Sequence, residues 1–199
     1  MQKTVIFSVI GLLAGVLLVW GVAFARPYTL RGSEIDPPIP AAEIRLTRAD
    51  GSLFQLSATN GKITLIFFGY TYCPDICPAT LADMRRAKTE LGQAGNSVQF
   101  VLITVDPQRD TPERIHSYVT GFDPEFIGLS GSEEELSPIW KAYFVSRQIQ
   151  HTGSAAGYLV DHSTRIYLVD LAGNLRLTYT FGTEAADIAE DIRYLLKEN

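Results

Sequence analysis

The sequence predicts a mixed α/β domain behind an apolar N-terminal segment, and three observations carry that prediction. Two largely apolar runs, Ile63–Phe68 and Val98–Val105, read as strands buried on both faces. A strand with one covered face would instead alternate apolar and polar residues. Between and beyond them lie stretches with apolar residues at helical spacing, opened by helix-start residues. The third observation is Val5 to Ala25, a run without a single charge. With 199 residues and 46% hydrophobic content, the chain suits one domain and an appendage.

The appendage, residues 1–25, is expected to be a transmembrane anchor, since about 20 apolar residues cross a bilayer as a helix. Ala23-Phe24-Ala25 resembles a signal-peptidase site, so a cleaved signal peptide competes; secretory apolar regions run roughly 7 to 15 residues, shorter than this one. Lys3 on one side and Arg26 and Arg31 on the other nearly balance the positive-inside count. So little chain precedes the run that the bulk of the protein is placed outside the cytoplasm. The lack of an Arg- and Ser-rich transit peptide points to a bacterial inner membrane, with the domain in the periplasm. Residues 26–42, with Gly32, Ser33 and Pro37-Pro38-Ile39-Pro40, read as a stiff Pro-rich linker holding the domain off the membrane.

The domain, residues 43–199, opens with Ile44–Leu46 and Leu53–Gln55 around Asp50-Gly51, a hairpin signal. After the first buried strand, a helix from Pro78 to about Leu91 aligns Leu81, Met84, Ala87 and Leu91. After the second, Thr111-Pro112 provides a cap and a first-turn proline. Ile127–Leu129 is a short strand, and Ser132-x-x-Glu135 is a capping box for a helix ending near Tyr143. Ser146–Gly157 reads as a loop. Ile166–Val169 and Leu175–Thr180 flank Ala172-Gly173-Asn174 as a second hairpin, and a helix runs from Thr183 to about Lys197. This is the order of a thioredoxin-like domain with an extra N-terminal β-hairpin and an insertion.

In that architecture the turn after the first central strand carries reactive cysteines, and this chain has two cysteines, both there. Cys73 and Cys77 each precede a proline, which disfavours helical backbone. Both are therefore expected outside the helix, with Cys77 as N-cap, Pro78 first in the helix, and the Cys77 sulfur facing the positive helix end. That position lowers a thiol pKa. His162, in Tyr158-Leu159-Val160-Asp161-His162-Ser163, sits where the chain passes close to the cysteine loop; His151 lies in the long loop and His116 inside a helix. Two thiolates and an imidazole make a soft site suited to copper or zinc, and structural zinc usually takes four protein ligands. Asp75 and Asp161, beside these residues in sequence, are candidates to orient them. The net charge of −5 argues against nucleic acid, and no Gly-rich phosphate loop is present.

FFGYTYCPDICP, ITVDPQRDTPE at 103–113 and YLVDHS at 158–163 together resemble the Sco/SenC family of copper-binding assembly factors for cytochrome c oxidase. The resemblance runs from the linker to the C-terminus. It implies a thioredoxin fold, copper as Cu(I) or Cu(II) on Cys73, Cys77 and His162, and a metallochaperone maturing the binuclear copper centre of oxidase subunit II. Subunit II and another periplasmic copper chaperone are the partners it implies. The loop SRQIQHTGSAAGY lacks the acidic stretch of some relatives. The alternative function is a thiol–disulfide oxidoreductase acting through Cys73 and Cys77 on the copper-ligating cysteines of that subunit. Three residues between the cysteines, where thioredoxin-type enzymes have two, and His162 favour metal. A peroxidase would need a threonine three positions before its reactive cysteine; Tyr70 and Pro74 stand there.

Overall fold

The computed structural model describes residues 11, 15, 28–59, 61–151 and 157–198. The expected anchor, residues 1–25, lies outside the described residues apart from Gly11 and Gly15. Among the described residues no helix is long and apolar enough to cross a membrane.

The strands are β1 (Ser33–Pro40), β2 (Arg45–Thr47), β3 (Leu53–Gln55), β4 (Ile63–Gly69), β5 (Val98–Thr104), β6 (Ile127–Leu129), β7 (Arg147–His151), β8 (Tyr158–His162), β9 (Ile166–Val169) and β10 (Asn174–Tyr179). The helices are α1 (Ile76–Leu91), α2 (Pro112–Thr120), α3 (Glu133–Ala142) and α4 (Ala185–Leu195). Six strands form one sheet in the order β1-β10-β9-β4-β5-β6, parallel from β4 to β6 and antiparallel from β4 to β1. β4, apolar except for Thr64, takes a central place, and every one of its residues is buried. A strand with one polar residue in seven has no polar face to offer water, so it needs cover on both sides. The result is the mixed α/β fold that the run order implies, with α1 and α4 packed against each other.

Local signals set the starts of two helices. Thr111 caps α2, its side chain accepting from the Arg114 backbone N–H, and Ser132 and Glu135 complete the capping box of α3. The β2–β3 hairpin pairs Leu46 with Phe54 as expected. Three expectations are corrected. Within the stretch read as a stiff linker, residues 26–42, Ser33–Pro40 pair with β10 as an edge strand. Proline cannot donate to a ladder and is tolerated at an edge, so Pro37, Pro38 and Pro40 mark an edge strand here. The 146–157 loop supplies β7, which pairs with β8. Finally, α1 begins at Ile76 after Asp75, so Cys77 is helical and Pro78 is third in the helix. The first-turn N–H groups have no partner inside the helix, which makes proline as harmless at the third position as at the first.

Candidate metal centre

β4 ends at Gly69 in mid-sheet, and the chain turns through Tyr70–Asp75 into α1. That turn is pinned from below. The Thr71 backbone N–H and hydroxyl donate to the Asp110 carboxylate at 3.0 and 2.6 Å, and the Thr104 hydroxyl adds a third bond at 2.8 Å. Asp110 is fully buried. Burial pushes its carboxyl up, against the lowering pull of the Thr71 and Thr104 donors. The same 103–113 segment holds the histidine strand. Arg109 donates to Asp106 at 2.5 Å and to the Tyr158 carbonyl at 3.0 Å, while the Tyr158 hydroxyl donates to Asp106 at 2.7 Å. ITVDPQRDTPE is therefore the brace between the cysteine turn and β8.

On this frame Cys73, Cys77 and His162 converge, their donor atoms all within 4.8 Å of one another. The Cys77 sulfur lies 3.6 Å from His162 Nε2. His162 Nδ1 is 2.8 Å from the Ser163 carbonyl oxygen. A carbonyl only accepts, so Nδ1 carries a proton, and Nε2 is the nitrogen that faces the sulfurs: with its own proton it donates to Cys73, and without it its lone pair is open to a metal. Ser163 is itself held, its hydroxyl accepting from the Ser146 backbone N–H at 3.0 Å. The imidazole stands edge-on to Phe67 and Tyr70, with ring centroids 6.2 and 5.8 Å away. The Tyr70 hydroxyl accepts from the Val160 N–H at 3.2 Å, tying β8 to the cysteine turn. Gly69 leaves the space in which Cys77 sits, because a Cβ there would lie 2.9 Å from its sulfur.

The two thiols differ. Cys73 is half-buried and its sulfur accepts the Cys77 backbone N–H at 3.4 Å, so Cys73 caps the positive end of α1. Hydrogen bonding from the Cys77 thiol, with further help from His162 and the Asp75 and Cys77 backbone, lowers Cys73 to about 4 against the burial that opposes it. Cys77 is fully buried, and its hydrogen bond to Cys73, its burial and the Cys73 charge push it far up. The helix-end thiolate expected at Cys77 is thus found at Cys73, because the helix starts earlier and turns Cys77 inward.

Asp75 and Asp161 do not orient the donors with their carboxylates. Asp75 is exposed and makes no side-chain cap bond. Asp161 is exposed, pointing opposite to His162 along the alternating strand. His116 is exposed on α2, and His151 at the end of β7 faces the Tyr158 ring at 6.2 Å; neither joins the cluster. What sequence reasoning missed are the fasteners: Ser163 acts through a backbone oxygen, which no residue letter announces, whereas Asp110 and Tyr70 stand inside motifs already singled out.

The family model SCO1/SenC matches residues 35–197. The chain belongs to that family. Among its relatives, a SCO2-like protein of Rickettsia prowazekii is 33% identical over 144 residues, covering 71% of this chain and 69% of its own length. The solution structure of apo Sco1 from Thermus thermophilus is 34% identical, with a TM-score of 0.76 over 85% of this chain and 98% of that one. The structure of Bradyrhizobium japonicum ScoI with copper bound is also 34% identical, with a TM-score of 0.72 over 79% of this chain and 99% of that one. The family match begins within β1, in keeping with β1 as part of the domain.

Proposed function

We propose that this member of the SCO1/SenC family is a copper metallochaperone, holding its cargo on Cys73, Cys77 and His162. The observation that carries the reading is the convergence of two sulfurs and the imidazole nitrogen Nε2 within 4.8 Å. This donor set fits the cargo: thiolates favour Cu(I), imidazole suits copper generally, and only three strong donors are offered. The copper-bound Bradyrhizobium relative supports the choice of metal. Cys73, half-exposed and ionised, is the first donor to meet incoming copper and the first an acceptor can replace. Cys77 gives up its proton on binding, and its buried sulfur with Nε2 retains the ion meanwhile. The recipient is read as subunit II of cytochrome c oxidase, whose binuclear copper centre would be matured. Val5–Ala25 is read as the anchor that keeps the domain on the periplasmic face of a bacterial inner membrane.

A second reading is favoured by the unequal thiols: an ionised Cys73 beside a protonated Cys77 is the arrangement of an attacking and a resolving cysteine. That oxidoreductase would reduce a disulfide between the recipient's copper-ligating cysteines to two thiols, Cys73 and Cys77 ending as a disulfide. The variants Cys73→Ser and Cys77→Ser are expected to abolish tight binding in a Cu(I) competition titration, since one thiolate with imidazole is a far weaker soft site. His162→Ala separates the two readings. In a strain lacking the protein, scored by assembled oxidase at limiting copper, it should fail if delivery is essential. Near-normal oxidase would transfer the function to thiol exchange.

A further inference from the structure

Asp191 is fully buried in α4, and the metal chemistry does not use it. A buried carboxylate is costly unless its lone pairs are filled, and its partners come chiefly from the segment ahead of β1. The Tyr28 hydroxyl donates at 2.7 Å, the Arg31 backbone N–H at 2.9 and 3.0 Å to the two oxygens, and the Gly32 N–H at 2.9 Å. The Tyr179 hydroxyl adds 3.2 Å from β10. The Tyr28 ring stacks on Tyr194 with centroids 4.5 Å apart, and Arg31 lies 3.7 Å from Asp187 and 3.8 Å from Glu190. A Cβ at residue 32 would come within 2.7 Å of the Tyr179 ring, so glycine is needed for the close approach.

The sequence of contacts has a direction. Tyr28 touches Asp191 and Tyr194, whereas Arg31 reaches Asp187 and Glu190, so residues 28–31 climb α4 from its C-terminal end toward its N-terminal end. α4 starts just beyond Tyr179, which pairs with Ile166, which pairs with Phe67 beside the cysteine turn. Its C-terminal end is therefore the end of the domain remote from the metal centre. Only Arg26 and Pro27 separate Tyr28 from the uncharged run, a reach of about 10 Å when extended.

We propose that Asp191 is an orientation clamp that seizes the chain as it leaves the bilayer and turns the end of the domain opposite the metal centre toward the lipid surface. The inference rests on reading Val5–Ala25 as a membrane anchor. The cysteine turn then opens away from the bilayer, at a height on the order of 20 Å set by the length of the central strand.

The test uses the full chain in nanodiscs of phosphatidylethanolamine and phosphatidylglycerol. Trypsin does not cut Arg26–Pro27, because proline follows the arginine, so Arg31–Gly32 is the first cleavable bond after the run; Asp191 holds the amides on both its residues. The wild-type chain is expected to resist cleavage there. Asp191→Asn, which turns a donor toward those N–H groups, should be cut at least tenfold faster. Tyr28→Phe, which keeps the carboxylate and loses one bond, should fall between the two and covers a failure of Asp191→Asn to fold. Orientation is read in the Trp20→Phe background by energy transfer from Trp140, whose indole N–H donates to the Thr104 carbonyl at the metal end, to a dansyl-labelled lipid headgroup. Transfer should be weak in the clamped chain and rise in Asp191→Asn. A chain that stays with the disc but is cut at the variant's rate, or transfers strongly while clamped, overturns the clamp alone. A chain that leaves the disc overturns the anchor reading, and the clamp with it.

Discussion

Cys73 and Cys77 are one residue type four positions apart, and the fold gives them opposite acidities. With its thiol at about 4 in the fold against about 8.5 when unfolded, Cys73 contributes stability that is complete above the unfolded value. That contribution is lost as the pH falls through the folded one. Cys77 is raised, so its contribution is present below the unfolded value and disappears only as the pH climbs through its folded one. The metal-free domain should therefore lose stability on acidification from about pH 8.5 to about pH 4. Over that window iodoacetamide should label Cys73 with an acid-shifted midpoint and leave native Cys77 untouched, as mass spectrometry of the labelled peptides would reveal. Equal labelling of both would contradict the assignment. At Gly69 the constraint is steric. Gly69→Ala puts a methyl 2.9 Å from the Cys77 sulfur, an overpacking expected to cost about 1–3 kcal/mol in denaturant unfolding, and the displaced sulfur should weaken Cu(I) binding at least tenfold. At this scale the sequence told which three side chains meet. It could not tell which sulfur caps the helix, since that depended on a helix starting at Ile76, two residues before the proline.

Between elements, the 103–113 segment is what makes the centre rigid. Its strand β5 lies beside β4 in parallel register, Phe68 against Ile103 and Gly69 against Thr104, so the loop that follows is delivered to the cysteine turn. Asp110 then fastens that turn through Thr71, and Asp106 with Arg109 fastens β8 through Tyr158. Asp110→Asn keeps the volume but faces the Thr71 and Thr104 donors with an amide that accepts on one side only. Loss of charge-assisted bonds to a buried group predicts a penalty of about 2–4 kcal/mol. Chemical denaturation measures it, and copper affinity should fall together with it; a stable variant with full affinity would show that the brace is dispensable. The motif was plain in the sequence and its role was not, because the contacts it makes span 39 and 52 positions. The β7 strand was hidden for another reason. Arg147-Gln148-Ile149-Gln150-His151 has one apolar residue and little buried surface, so no periodicity marks it. Its partner is the histidine strand, with Arg147 opposite His162.

At the scale of the whole molecule, the boundary of the domain decides what can fold alone. Composition placed that boundary at residue 43, because prolines and glycine ahead of it read as a spacer. The sheet places it no later than Ser33, and the Asp191 contacts carry it back to Tyr28. A soluble chain beginning at Tyr28 and one beginning at Glu43 thus differ by an edge strand and by the main partners of a buried carboxylate. The shorter chain leaves Asp191 with Tyr179 alone among the donors just described, and uncovers the full edge of β10. Stripping partners from a buried charge typically costs about 3–5 kcal/mol, which for a domain of this size lowers the melting temperature by roughly 10 °C. An exposed strand edge, with its unpaired N–H and C=O groups, also invites pairing with a second copy. The metal centre is assembled from β4, α1, the 103–113 segment and β8, none of which touches the removed residues through a hydrogen bond named above. Calorimetry should therefore find the Glu43 chain less stable and prone to aggregate, while at low temperature it still binds one copper ion with the affinity of the longer chain. Equal melting temperatures would make β1 an ornament of the fold, and the spacer reading would then stand.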